Sequence, residues 1–293
     1  KEMIAAVLAG RFSVLKTQGT MNNQTGVPLT LFQLNRGHEV AVIEMGTNHF
    51  GEIAALAKMT SPTICLLTNI GVAHIEFFES RPGILKAKTE MLPYLRPGGT
   101  TIINNDDDML ATLTNVMRYG TGEDCDLRAV DIADHGLDGM SFTAVYGGES
   151  VAVRVPSPGQ HTVSNALAAM AVGLRLGLSL SELAGGVAAY VPPAGRMHIT
   201  RTKRFTVLDD SYNANPISVM AAIDVLEKAE GRRVCILGDM FELGDQADDY
   251  HEVAGMYAAM HGMDLILCVG PLSEQSFLGA HALEPRRARY FET

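Results

Sequence analysis

The sequence predicts an α/β protein with a mostly parallel sheet, a small antiparallel insert and a second α/β unit after it. Short apolar runs alternate with amphipathic segments of helical period along most of the chain, which is typical of parallel strands joined by helices. The 293 residues are 47% hydrophobic and 19% charged, so the chain has the length and the apolar content for two cores. Between about residues 125 and 156 the pattern changes to alternation around Gly147-Gly148, which predicts antiparallel strands.

The first half of the chain contains four predicted strands, each followed by a helical pattern. Gly10 and Gly37 follow two of the helices, and glycine commonly closes a helix because it accepts the left-handed conformation. We expect strands at 13–17, 39–44, 63–69 and 100–104, helices at 1–9, 28–36, 51–58 and 79–92, and a short helix after Asp106.

The second half begins with the antiparallel insert and continues with two helices, at 162–176 and 181–190. Val191-Pro-Pro-Ala-Gly195 then interrupts the helical pattern, and we place a domain boundary there, between a domain 1–195 and a domain 196–293. In the second domain we expect strands at 205–209, 232–237 and 264–269 and helices at 216–229 and 246–261.

Composition argues against several functions and locations. The formal net charge of −10 argues against a nucleic-acid-binding surface, which needs a basic face. The sequence has neither a signal-peptide pattern nor an apolar run of about 18 residues, so we expect no export and no membrane span. Cys65, Cys235 and Cys268 lie in apolar runs without metal-binding spacing, which is typical of core thiols in a reducing compartment. We therefore expect a cytoplasmic protein.

The most informative stretch is 209–218, Asp-Asp-Ser-Tyr-Asn-Ala-Asn-Pro-Ile-Ser. It follows the apolar run 205–208, so its polar side chains are expected at the C-terminal end of a buried strand, where open α/β sheets bind ligands. The structural alternative is a polar turn between strand and helix, with Asn215 as the N-cap and Pro216 at the first helical position.

Three side chains of the first domain are candidates for chemistry. Glu44 ends a predicted strand, His74 follows the next one, and Lys88 lies in the helix after that. A carboxylate at the end of a strand is a standard way to hold Mg²⁺ against a nucleotide phosphate. The alternative is that each is a solvated loop or helix residue.

Two further candidate sites lie near the domain boundary. His161 and Asn165 begin a helix that continues with small residues, so a ligand could approach its N-terminus closely. Arg196 lies at the joint, where it could clamp a phosphate. The alternatives are an ordinary capped helix and a surface arginine in a linker.

Together these motifs resemble the Mur ligase family, in the expected order and over essentially the whole chain. The first and last motifs are typical of the family member that adds D-alanyl-D-alanine to UDP-N-acetylmuramoyl-tripeptide in peptidoglycan synthesis. The resemblance is carried by Asn22-Asn23-Gln-Thr-Gly26-Val-Pro-Leu-Thr30, Glu44-Met-Gly-Thr-Asn48-His49, Ala73-His74-Ile-Glu76, Ala87-Lys88-Thr-Glu90, Gly159-Gln-His161-Thr-Val-Ser-Asn165-Ala166, Gly195-Arg196 and Asp209-Asp210-Ser-Tyr-Asn-Ala-Asn-Pro216.

This resemblance implies a central ATPase-type domain and a Rossmann-like C-terminal domain. It implies ATP-dependent amide-bond formation through an acyl phosphate, with ATP and two Mg²⁺ ions as cofactors and a monomeric protein. Carried over by position, Glu44 would ligate one Mg²⁺, His74 the second, and Lys88 would be carbamylated and act as a further metal ligand. Ligand contacts are implied for His161 and Asn165 (adenine), Arg196 (phosphates), Asp209 or Asp210 (ribose), Tyr212, Asn213 and Asn215 (incoming dipeptide), and Asn22 and Asn23 (UDP-linked substrate).

One departure from the family pattern concerns the phosphate loop. In the family, this loop ends in Gly-Lys-Thr or Gly-Lys-Ser just before the helix that begins here at Lys1, and no G-x-x-x-x-G-K-[ST] occurs in this sequence. We therefore expect a fragment that lacks the loop and the N-terminal domain, has an incomplete C-terminal domain and transfers no ATP phosphate alone. Two alternatives stay open: another Mur-type or folylpolyglutamate-synthase-like ligase, and a non-catalytic fragment or scaffold.

Overall fold

A computed structural model describes residues 1–71 and 75–293, which form ten α-helices and thirteen strands. The helices are α1 (Glu2–Ala9), α2 (Gly26–Leu31), α3 (Glu52–Thr60), α4 (Ile75–Phe78), α5 (Arg81–Thr89), α6 (His161–Arg175), α7 (Leu180–Ala188), α8 (Pro216–Glu227), α9 (Ala247–Met260) and α10 (Ser273–Leu283). The strands are β1 (Val14–Lys16), β2 (Val40–Val42), β3 (Ile64–Leu67), β4 (Thr100–Asn104), β5 (Met117–Gly120), β6 (Leu127–Asp134), β7 (Met140–Tyr146), β8 (Glu149–Val155), β9 (His198–Arg201), β10 (Thr206–Asp209), β11 (Val234–Leu237), β12 (Leu265–Val269) and β13 (Ala288–Phe291).

A six-stranded sheet in the order β3-β4-β5-β6-β7-β8 organises the first part of the chain. Strands β3 to β6 are parallel, whereas β7 pairs antiparallel with both β6 and β8. The predicted antiparallel segment is therefore present, and it continues the main sheet because β6 pairs with β5. Strands β1 and β2 form a separate parallel pair. The predicted α/β class is confirmed.

The core of this part lies between the sheet and α6. Leu167 and Met170 of α6 are fully buried, as are Tyr119 of β5 and Leu127 of β6. Burial of one such leucine side chain stabilises the fold by about 1.5–3 kcal/mol. The helical pattern predicted from Thr162 to Leu176 corresponds closely to α6.

Helix α1 packs against both α6 and α7. The approach to α7 is close, because a Cβ atom added at Gly186 would lie 2.6 Å from the Val7 Cα atom. Only glycine fits at this point of α7, although glycine inside a helix costs about 1 kcal/mol relative to alanine.

Two predicted helices have different limits in the structure. The helix expected at 28–36 covers Gly26–Leu31 only. The long helix expected at 79–92 begins at Arg81, because Ser80 adopts an extended conformation and its side chain accepts the Gly83 N–H as an N-cap.

The second part of the chain contains a parallel sheet in the order β11-β12-β13. Its core includes Cys235, Ile266 and Cys268, together with Ala258 of α9 and Ala280 of α10. The predicted buried thiols are confirmed here, and Cys65 of β3 is buried as well.

The prediction of a buried strand at 205–209 is wrong. β10 pairs antiparallel with β9 in a two-stranded sheet, and Phe205 and Val207 are 61% and 41% exposed. The reason is local: Thr202 Oγ1 accepts the Phe205 N–H at 3.0 Å and closes a hairpin between the two strands.

Ion pairs join the two parts of the chain on one side. Lys228 at the end of α8 pairs with Asp134 of β6, and Arg201 of β9 donates to the Asp138 carboxylate at 2.7 Å. No helix within 1–71 and 75–293 has both the length and the apolar character needed to cross a bilayer.

Candidate active site

Glu44 lies just beyond β2 and is held by the segments before that strand. Its N–H donates to the buried Thr17 hydroxyl at 2.9 Å, which fixes the backbone at this point. Its Oε1 atom accepts from Asn22 Nδ2 at 2.9 Å, and its Oε2 atom lies 3.2 Å from Lys1 Nζ. The carboxylate is thus fixed in position but remains 35% exposed, so it can still bind a ligand.

The predicted substrate residues Asn22 and Asn23 have different roles in the local structure. Asn22 contacts Glu44 through its side chain, whereas the Asn23 side-chain oxygen accepts the Gly26 N–H at 2.8 Å and orders the turn into α2. Gly26 is required there, because an added Cβ atom would lie 2.3 Å from the Met21 carbonyl carbon.

Lys88 projects from α5 towards the end of β3 and donates to the Asn69 carbonyl oxygen at 2.8 Å. Burial lowers the pKa of the Lys88 ammonium group, and the nearby Asp107 carboxylate partly opposes this shift. His74 falls outside the described residues.

Asp107 is a residue of this region that the sequence did not single out. Its carboxylate accepts the Ile70 N–H at 2.7 Å and the Leu110 N–H at 2.9 Å, so it joins the segments that follow β3 and β4. The sequence feature that could have identified Asp107 is its position shortly after the predicted strand 100–104. Glu44 was singled out for a similar position, at the end of the predicted strand 39–44.

The Asp209–Asp210 pair contacts the linker between the two parts of the chain. Asp209 accepts the Gly195 N–H at 3.0 Å, and hydrogen bonds from the Ser211 hydroxyl and N–H lower the pKa of Asp209. Asp210 accepts the Met197 N–H at 2.9 Å, and burial raises the pKa of Asp210. Both carboxylates therefore stabilise the conformation of the joint.

His161 at the start of α6 lies close to Asp210. Partial desolvation lowers the pKa of His161, and the Asp210 charge opposes this shift. His161 and Asp210, the residues predicted for adenine and ribose, are thus neighbours on opposite sides of the joint. Asn165 is exposed on α6, one turn after His161.

Arg196 stacks over the Tyr212 ring, with 4.1 Å between the guanidinium carbon and the ring centroid. Tyr212 donates its N–H to the Gly195 carbonyl at 3.1 Å, and a Cβ atom at Gly195 would lie only 3.1 Å from the Tyr212 Cβ atom. The arginine is exposed, so it can still reach an anion while stacked.

The remaining predicted residues are Asn213 and Asn215. Asn213 is exposed. The Asn215 side-chain oxygen accepts the Ser218 N–H at 3.0 Å and caps α8, which is the structural alternative that the sequence allowed. The cap uses the side-chain oxygen of Asn215, and its amide nitrogen takes no part in it.

The structure brings the predicted residues together in two groups, one around Glu44 and Asn22 and one around Asp210, His161 and Arg196. Lys88 lies with Asn69 and Asp107. Within residues 1–71 and 75–293, no three or more His, Cys, Asp and Glu side chains form a group that could hold a metal ion.

The chain is similar to proteins of one family along almost its entire length. The family model of the Mur ligase middle domain matches residues 1–173, and that of the Mur ligase glutamate ligase domain matches 195–293. UDP-N-acetylmuramoyl-tripeptide–D-alanyl-D-alanine ligase from Escherichia coli (strain K12) is 37% identical over 295 residues, which cover 96% of this chain and 65% of the relative.

Two solved structures show the same fold. MurF from Acinetobacter baumannii matches with a TM-score of 0.92 and 34% identity, covering 100% of this chain and 64% of that one. The MurF ligase from Thermotoga maritima in complex with ADP matches with a TM-score of 0.86 and 25% identity, covering 99% and 66%. The chain spans less than two thirds of the length of these relatives. It belongs to the Mur ligase family.

Proposed function

We propose that this chain forms the central and C-terminal domains, 1–195 and 196–293, of an ATP-dependent ligase that joins D-alanyl-D-alanine to UDP-N-acetylmuramoyl-tripeptide in peptidoglycan synthesis. The Escherichia coli relative is named as the ligase of this reaction, and its match covers 96% of the chain. The contact between Asn22 and Glu44, at 2.9 Å, carries the proposal. It joins the Asn-Asn motif typical of the dipeptide-adding enzyme to the carboxylate best placed for metal binding.

In the proposed reaction the terminal carboxylate of the tripeptide attacks the γ-phosphate of ATP, which gives an acyl phosphate and ADP. The amino group of the dipeptide then attacks the acyl carbon, inorganic phosphate leaves, and the nitrogen loses a proton as the amide forms. Both steps concentrate negative charge on oxygen atoms, so preorganised cationic groups stabilise them. The exposed guanidinium group of Arg196 is suited to the nucleotide phosphates.

Mg²⁺ fits the donor set around Glu44. In nucleotide sites this ion is commonly bound by one or two carboxylates, phosphate oxygens and water, and it needs no cage of protein ligands. A single fixed and partly exposed carboxylate meets that requirement. We assign Glu44 to one Mg²⁺ and His74 to a second; when bound, the ions would neutralise phosphate charge.

Lys88 fits carbamylation, which converts an amine into an anionic oxygen ligand. The reaction requires the neutral amine, and burial favours that form by lowering the pKa of Lys88. The Asn69 carbonyl holds the side chain in one orientation.

The remaining assignments follow the geometry of the joint. His161 and Asn165 would contact the adenine, and Asp209 or Asp210 the ribose. Tyr212, Asn213 and Asn215 would contact the incoming dipeptide, with Asn215 offering its amide nitrogen. Asn22 and Asn23 would contact the UDP-linked substrate.

The test is phosphate release by the protein expressed from the complete gene, with each substrate alone and with both together. We expect release to require ATP, the UDP-linked tripeptide and D-alanyl-D-alanine. Lys88→Ala should nearly abolish it, and added formate or acetate should restore part of it by supplying a small carboxylate. Lys58→Ala is the control, because this lysine is exposed in the last turn of α3.

Two results would contradict the proposal. Release with a different amine, and none with D-alanyl-D-alanine, would identify another ligase of the family. Lys88→Ala at the wild-type rate would remove this lysine from the mechanism.

A further inference from the structure

Glu90 connects two helices that border the candidate active site. It follows α5, and its Oε1 and Oε2 atoms accept the Gly51 N–H at 2.8 and 2.9 Å. Oε2 also lies 3.4 Å from the Ala54 nitrogen and accepts its N–H. Gly51 is the N-cap residue of α3 and has a φ of +86°. Because the carboxylate accepts the N–H groups of Gly51 and Ala54, it lies at the N-terminus of α3. A helix N-terminus favours a negative charge, because its first N–H groups have no partners within the helix.

The segment between Glu44 and α3 is held at several points. The Gly46 N–H donates to the Asn22 carbonyl at 2.8 Å near its beginning. The Asn48 N–H donates to Glu52 Oε2 at 2.8 Å further along. Glu90 holds the far end at Gly51, so displacement of this carboxylate would loosen that end of the segment that carries Glu44.

The other end of this connection is Lys88. It lies on α5 and donates to the Asn69 carbonyl at 2.8 Å, while Glu90 at the end of the same helix contacts α3. The Glu90 carboxylate therefore links the helix that carries Lys88 to the segment that carries Glu44, beside a contact of Lys86 Nζ with the Phe50 ring at 5.3 Å.

We propose that Glu90 is a positioning residue that fixes Lys88 relative to Glu44. The importance of this spacing rests on the proposed function, because that function gives the two side chains a joint task on the nucleotide phosphates. Among residues 1–71 and 75–293, the hydrogen-bond donors to the Glu90 side chain are the backbone N–H groups of Gly51 and Ala54, so it acts through the helices it joins.

The side-chain chemistry predicts a graded series of variants. Glu90→Gln keeps one acceptor oxygen but loses the charge that the α3 N-terminus favours. Glu90→Ala loses both. Glu182→Ala is the matched control, because this carboxylate also caps a helix, accepting the Ser179 N–H at 2.8 Å, and contacts none of the proposed site residues.

The experiment uses the protein expressed from the complete gene. It measures kcat, KM for each substrate, the Mg²⁺ concentration for half-maximal rate, the melting temperature, and hydrogen exchange at Gly51 and Ala54. For Glu90→Ala we expect faster exchange at both amides and a loss of about 10- to 100-fold in kcat or in Mg²⁺ affinity, as for groups that orient metal ligands. KM for the dipeptide should change little. Glu90→Gln should be intermediate, and Glu182→Ala should lose melting temperature but keep kcat and Mg²⁺ dependence.

Wild-type kcat and Mg²⁺ dependence in Glu90→Ala, with faster exchange at Gly51, would overturn the proposal. If the alanine variant does not fold, Glu90→Gln with unchanged kinetics and faster exchange is equally decisive. If the wild-type protein shows no ligase activity on these substrates, the proposed function fails. Crystal structures of the wild type and of Glu90→Ala then test whether Glu90 positions Lys88. A displaced Lys88 that has lost Asn69 supports the positioning role, and an unchanged contact overturns it.

Discussion

Glu44→Ala separates a role in chemistry from a role in stability. The variant loses the hydrogen bond from Asn22 and the ion pair with Lys1, but it keeps the backbone contact with Thr17. Within the described residues 1–71 and 75–293, the polar contacts that the variant loses are thus those of the carboxylate.

The structure limits the cost in stability. A hydrogen bond to a charged group is worth about 1.5–3 kcal/mol and a partly exposed ion pair about 0–1 kcal/mol, but water can replace part of both at a carboxylate that is 35% exposed. We expect a loss of about 1–2 kcal/mol, which lowers the melting temperature by about 2–8 °C. The loss of a preorganised electrostatic contact costs about 10²- to 10³-fold in kcat. The effect on turnover should thus exceed the effect on stability.

Melting temperature and steady-state kinetics on the same preparations measure both effects. Glu39→Ala is the control, because Glu39 lies at the opposite end of β2 and its carboxylate accepts the Ser13 N–H at 2.9 Å. It should lose similar stability and keep normal turnover. A large fall in melting temperature with normal turnover in Glu44→Ala would refute a catalytic role.

Two further predictions concern stability. Gly26→Ala should destabilise the protein by about 1–3 kcal/mol, because the new Cβ atom would lie 2.3 Å from the Met21 carbonyl carbon, whereas Gly10→Ala, with no atom within 4 Å, should be nearly neutral. Equal urea midpoints for the two variants would contradict this. Asp209→Asn should remove a pH-dependent stabilisation: since the folded-state pKa of Asp209 is lowered, the wild type's advantage is complete above the unfolded pKa of about 3.9 and is lost as the pH falls through the folded value. Unfolding in urea at neutral and strongly acidic pH tests this, and an advantage that grows in acid would be inconsistent with it.

The sequence predicted best where the apolar period was long and uninterrupted, as in α6. It missed β5, β9 and β13, which are only four residues long and each include an arginine. Such strands are defined by their pairing with distant segments and not by an apolar run of their own. It also missed α10, whose buried face includes Ser273, Ser276, Gly279 and Ala280, so no stripe of large apolar residues marks it.

Candidate site residues could be predicted from the sequence where they belong to a recognisable motif. They were missed where their role depends on contacts between segments that are distant in the sequence. Glu44 and Asn22 come from separate motifs, and the structure brings them within 2.9 Å. The role of Asp107 depends on N–H groups of two separate segments, which no local pattern reveals. The burial predicted for β10 was wrong because apolar composition does not show which strand will be its partner.

Gly186 allows the close packing of α1 on α7 and so helps to determine the position of Lys1 beside Glu44. Val7 lies against that glycine, and α1 carries Lys1 at its opposite end, 3.2 Å from Glu44. A methyl group at position 186 would push α1 along or away from α7, and Lys1 would move with it. The atoms in the way are backbone atoms of Val7, so a smaller side chain at that position would not relieve the contact. A homologue that loses Gly186 should therefore have α1 displaced relative to α7, and the lysine beside the carboxylate displaced with it.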